Sequence, residues 1–150
     1  VKERRERDGE HVLTVEDYYD GPESGYALHN GIPHHFRRDP DVVDDDTDFW
    51  LLSPVSEEVA SLARESQAIW LRWRDAYLRG EADGNLDSSL PRALPNEKER
   101  YCEIEALLKA ALEDAASSQF WIQGTFITNP DAPRGWVNWV ANLKVVWGHR

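Results

Sequence analysis

Apolar and polar positions begin to alternate at His11: in "HVLTVED" Leu13 and Val15 fall on one side and Thr14 and Glu16 on the other, the period-two pattern of a half-buried strand. "DGPESG" interrupts the pattern with turn residues, and "GYALHNGIPHHF" resumes it. Asn30-Gly31 marks a hairpin there, because both central residues of a type I′ turn need positive φ. A two-residue turn sets His29 opposite Ile32, Ala27 opposite His34 and Tyr26 opposite His35, so His29 and His34 share one face and His35 takes the other. Pro33 has no N–H to donate, which predicts an edge strand or a break at that point. After the acidic, turn-forming "RRDPDVVDDDTD", the unbroken apolar run "FWLLSPV" predicts a strand covered on both faces.

The period then lengthens to that of a helix. Ser56 as N-cap, Glu57 and Glu58 in the first turn, and Arg79-Gly80 as the stop bound an apolar stripe of Val59, Leu62, Ala63, Ile69, Trp70, Trp73, Ala76 and Tyr77. The connection "GEADGNLDSSLPRALP" is long for a compact domain, so it is either a functional loop or, the preferred reading, one pinned by Leu90 and Leu94. Asn96-x-x-Glu99 has the capping-box pattern and opens a second helix that buries Tyr101, Ile104, Leu107, Leu108, Ala111 and Leu112. Two strands close the chain. "FWIQGTFIT" sets Phe120, Ile122 and Phe126 against Trp121, Gln123 and Thr125, and "VNWVANLKVVW" puts Val137, Trp139, Ala141, Leu143, Val145 and Trp147 on one face. These elements predict an α+β domain: an antiparallel sheet of five or six strands, curled toward a small barrel, with two helices inserted between its halves. Residues 1–10 read as a frayed lead-in and 11–150 as one domain.

Composition narrows the class. A chain of 150 residues with 41% apolar content and seven tryptophans has the makings of a single ordered core. Its one cysteine, Cys102, allows no intrachain disulfide and no CxxC metal site, which fits a reducing cytoplasm. No apolar run approaches the roughly 18 residues of a membrane-spanning helix, and the opening residues lack the apolar stretch of a signal peptide, so no membrane association or export is expected. Valine in first place and the absence of methionine fit a literally translated GTG start, hence a bacterial reading frame, although trimming would give the same pattern.

The net charge of -11 is unevenly spread: residues 8–63 hold fourteen acids against Arg37 and Arg38, while the rest holds fourteen acids against fifteen bases. A one-signed field of this kind repels nucleic acid and anionic membrane and favours a protein partner with a basic surface. Solubility alone is the plainer account of the same excess.

Candidate chemistry gathers in the first half. His29 and His34 on one face, with Asp17 or Asp20 within reach, form a candidate metal or catalytic site. Nothing fixes a third ligand, the plainer account is a part-solvated hairpin, and no cofactor is expected. Asp44, Asp46 and Asp48 have the alternate spacing of a calcium loop, yet Phe49 and Val55 stand where the loop needs Gly and Glu, which excludes an EF-hand. In "DYYDGP" the adjacent Tyr18 and Tyr19 point to opposite faces of a continuing strand. The outward one, beside Asp17 and Asp20, makes an acidic, aromatic patch suited to arginine or lysine from a partner.

Elsewhere the chemical signals are thin. Cys102 has no identifiable histidine base, and there is no GxSxG, Walker or GxGxxG motif. The tryptophans could line a ligand pocket, but their spacing on strands and a helix favours the core. Basic residues are too scattered for a nucleic-acid footprint.

"LTVEDYYDGPESGYALHNGIPHHF", with "LLSPVSEE", "IWLRWRDAY" and "LKVVW", resembles a set of small bacterial proteins of undetermined function that share a DYYDGP, G, NG, PH, F order. The resemblance spans most of the chain. It implies a bacterial single-domain protein and carries no activity. The functional expectation is therefore an interaction module, of immunity or inhibitory type, presenting Asp17, Tyr18, Tyr19, Asp20, His29, His34, Asp44 and Asp46 to a basic protein. The alternatives are a small enzyme or metal-dependent binder centred on Asp17, Asp20, His29 and His34, and a subunit of a larger assembly.

Overall fold

The hairpin turn forms as its chemistry requires. Asn30 and Gly31 take φ of 54° and 76°, joining strand β2 (Pro22–His29) to β3 (Ile32–Arg38) with His29 opposite Ile32, Ala27 opposite His34 and Tyr26 opposite His35. The structure is a computed structural model in which residues 9–18, 22–38, 49–82 and 92–148 are described. Strands β1 (Glu10–Tyr18), β4 (Phe49–Pro54), β5 (Phe120–Ile127) and β6 (Lys144–Trp147) complete a closed antiparallel barrel in sequence order, β6 returning to β1. Helices α1 (Glu57–Leu78) and α2 (Lys98–Asp114) are inserted between β4 and β5, and a short α3 (Trp136–Ala141) precedes β6. The α+β, barrel-like arrangement expected from the pattern is present, with six strands and one additional helix.

Two apolar layers hold it. Val12, Val15, Ala27, Phe36, Trp50, Leu52 and Val145 form the barrel interior together with Val140 and Leu143. Phe36, Trp50 and Phe126 meet there at ring separations of 4.9 to 5.5 Å, and Trp50 Nε1 donates to the Gly124 carbonyl at 3.2 Å. Between the sheet and the helices, Tyr26, Ala63, Ile69, Ala93, Ile104 and Leu108 form a second cluster. The β4 run is buried on both faces, as its unbroken apolar character predicted. Helix α1 is capped as expected: Ser56 Oγ accepts the Val59 N–H at 3.2 Å, and Gly80 ends the helix at φ 74°.

Several expectations are corrected. The last long strand is not one strand: Trp136–Ala141 is helical, and only Lys144–Trp147 joins the barrel. Trp136, Trp139, Val140 and Leu143 also stand at helical spacing, and this period wins because it buries Val140 and Leu143 while leaving Val137 and Ala141 exposed.

In β1, Leu13 and Val15 do not share a face. Register shifts on both sides of Thr14-Val15 turn Val12 and Val15 into the barrel, while Leu13 packs against the helix-side cluster. Gly25 permits this close pairing, since a β-carbon there would run into the Thr14 carbonyl oxygen.

Pro33 lies in an interior strand, at the end of the β3–β4 ladder, where its carbonyl accepts the Val55 N–H at 3.0 Å and no N–H is required of it. The capping box does not form: Glu97 donates its N–H to Leu94 O, α2 starts at Lys98 without a side-chain cap, and the Glu97 carboxylate binds Arg72 at 2.7 Å. Tyr77 and Leu107, expected in the core, are exposed. Leu94 is half-buried beside the buried Ala93; Leu90 and residues 1–8 of the expected lead-in lie outside the described residues, and Glu10 of that lead-in opens β1.

Candidate functional site

Of the residues proposed from sequence, His29 and His34 come together as expected. Their rings meet edge-on at 5.3 Å at the hairpin end of the barrel, where both also contact Phe120, and His29 contacts Trp147. His34 is buried, and its Nδ1 lies 2.8 Å from the Ile32 carbonyl, which can only accept; Nδ1 therefore carries the proton and donates. Burial, and then the neighbouring His34, lower the pKa of His29 against a smaller opposing pull from Glu10. The carboxylate of Glu10 accepts the backbone N–H groups of Asn30 and Gly31 at 3.0 and 2.8 Å and so clamps the turn. Asp17 and Tyr18 belong to the backbone of β1, and Tyr19, Asp20, Asp44 and Asp46 lie outside the described residues. Among the described residues, no group of three or more His, Cys, Asp or Glu side chains is placed to hold a metal ion.

A second concavity was not anticipated. The β1–β6 seam that closes the barrel is short, pairing only Glu10 with Val145 and His11 with Lys144. Past it, the free side of β1 faces the helices: the Val12 N–H goes to Leu143 O at 3.2 Å, and the Val15 N–H goes to the Gln67 side-chain oxygen at 3.0 Å. A cleft of about 500 Å³ opens where the ladder stops, in the size range of small-molecule sites. Thr14, Val15 and Glu16 of β1 form one wall, Ala63, Ser66, Gln67 and Trp70 of α1 another, and Tyr101 and Glu105 of α2, Arg92 and Trp136 the rest.

The chemistry of this cleft is polar and aromatic. Ser66 Oγ donates to Glu105 Oε1 at 2.7 Å, and His35 Nε2 meets Glu16 Oε2 at 3.2 Å. The indoles of Trp70 and Trp136 lie 5.5 Å apart. Burial, reinforced by Glu105 and Glu16, pushes the Tyr101 hydroxyl up to about 12, and the same three causes, with Glu16 ahead of Glu105, raise that of the buried Tyr26. Both phenols therefore remain protonated donors at neutral pH. Among the described residues, the hydroxyl of Thr14, only 1% exposed, has no hydrogen-bond partner. Among the described residues, neither a cysteine nor a histidine lines the cleft.

No protein-family model, curated protein or solved structure matches the chain. Among the described residues, no helix is long and apolar enough to cross a membrane.

Proposed function

We propose that this chain is a protein-interaction module of the bacterial cytoplasm, of immunity or inhibitory type, whose acidic strand-built half meets a basic surface on a protein partner rather than nucleic acid. The observation that carries this reading is where three arginines in and beside the helices are held. Arg72 of α1 and Arg79, the C-cap residue after it, pair with Glu97 and Glu81, and Arg100 of α2 pairs with Glu65 and Glu103. None of these pairs reaches a carboxylate of the barrel strands, so the charge asymmetry along the chain is not cancelled by them. Glu10 is held by backbone N–H groups, which leave its charge in place, and Glu23 faces the Arg38 guanidinium at 3.4 Å.

The test is capture from bacterial lysate in low and high salt, comparing the native chain with a variant carrying Asp17→Asn, Asp20→Asn, Asp44→Asn and Asp46→Asn. A basic protein held by the native chain in low salt, released in high salt and lost from the variant is the expected result. Capture that ignores both salt and the four substitutions contradicts the reading. What supports the competing metal-dependent reading is the approach of the His29 and His34 rings, whose centroids are 5.3 Å apart. A stoichiometric ion bound by the native protein and lost from His34→Ala would put that reading first.

A further inference from the structure

We propose that the cleft between β1 and helices α1 and α2 is a binding site for a compact organic cation, an ammonium group carried on an apolar or aromatic body. The cleft lies where backbone pairing ends, so its polar wall is a consequence of the fold: β1 turns Thr14 and Glu16 outward while Val12 and Val15 fill the barrel. A hydroxyl held out of water without a partner is destabilising, so a ligand donor that completes it gains by binding there. Thr14 Oγ1 is such a group, on a residue 1% exposed in the wall of the cleft, and its lone pairs suit an N–H donor.

Charge selects the sign of the ligand. Glu16 and Glu105 line the cleft, and in each one oxygen is engaged, Oε2 of Glu16 by His35 and Oε1 of Glu105 by Ser66. Arg92, the cation among the lining residues, stands with its guanidinium 5.8 Å from the centre of the Trp73 ring. The Trp70 and Trp136 indoles offer apolar and cation-attracting surface for the body of the ligand. Two carboxylates against one guanidinium make the lining net negative, which favours a cation over an anion of the same shape.

The test uses three probes of one shape on the full chain: 2-phenylethylammonium, neutral 2-phenylethanol and anionic phenylacetate, each titrated by calorimetry and by tryptophan fluorescence. The ammonium compound is expected to bind with one-to-one stoichiometry, at least tenfold more weakly in Glu16→Gln and in Glu105→Gln, and several-fold more weakly in Thr14→Val. Glu65→Gln, which removes a carboxylate paired with Arg100 outside the cleft, is expected to leave binding unchanged. Circular dichroism and thermal unfolding of each variant separate loss of binding from loss of fold, and the conservative glutamines retain an acceptor for Ser66 and His35. Equal binding of the alcohol, an ammonium affinity indifferent to Glu16→Gln and Glu105→Gln, an equal loss in Glu65→Gln, or no binding by any probe overturns the proposal.

Discussion

Inside the barrel, Phe36 meets Trp50 and Phe126 at 5.5 and 5.1 Å in an apolar cluster; on the other side of β1, a cleft is walled by two carboxylates, a phenol and a hydroxyl that has no partner among the described residues. The same strand serves both, with Val12 and Val15 inward and Thr14 and Glu16 outward. What separates the two regions is backbone pairing. Where every strand has a neighbour, the ladder satisfies the peptide groups and side chains are free to be apolar. Where β1 runs past β6, side chains must satisfy the backbone, and Gln67 does so for Val15.

If this contrast is sound, the largest loss of stability belongs to the interior. Phe36→Ala removes a fully buried ring from the aromatic cluster and should cost about 3–5 kcal/mol in urea unfolding, with no specific effect on cleft binding. At the seam, Gln67→Leu keeps the bulk but deprives the Val15 N–H of its acceptor. The expected cost is about 1–3 kcal/mol, and hydrogen exchange should show local opening, with the Val15 amide accelerated more than amides of β3 and β4. An unchanged Val15 amide would mean that the seam does not depend on that side chain.

A smaller effect concerns the hairpin end of the barrel. His29 has its folded pKa below the ordinary value of 6.5 because it is half-buried, and because it lies beside His34. The unfolded chain takes up that proton more readily, so this contribution to stability is complete above pH 6.5 and drains away as pH falls below it. His29→Gln should flatten that part of the stability profile, whereas Gln67→Leu should shift the profile without changing its slope. Urea midpoints measured across the acid limb distinguish the two.

The parts legible in the sequence are those whose chemistry is local. Asn30-Gly31 requires positive φ, and from it the whole β2–β3 register follows; Ser56 and Gly80 bound α1 because a cap and a left-handed stop are short-range events. The last helix was hidden because Trp139 and Leu143 satisfy both periods, and only burial against the barrel decides between them. The shifts in β1 leave no mark on composition, since an extra residue in a strand looks like any other. The cleft was invisible for a different reason: Thr14, Glu16, Gln67 and Glu105 are each ordinary in their own segment, and three separate elements bring them together. The histidine pair, being a consequence of register, was legible to the face; the burial of His34 was not.

The most direct measurement is the unfolding free energy of ligand-free Thr14→Val. The exchange keeps the branched shape and replaces a buried hydroxyl that has no partner with a methyl group. If the seam is built to receive a ligand, the variant is as stable as the native chain or up to about 1 kcal/mol more stable, while it binds 2-phenylethylammonium less well. A loss of more than about 1 kcal/mol would show that the hydroxyl supports the fold itself, and the contrast between a packed interior and a receptive seam would fall.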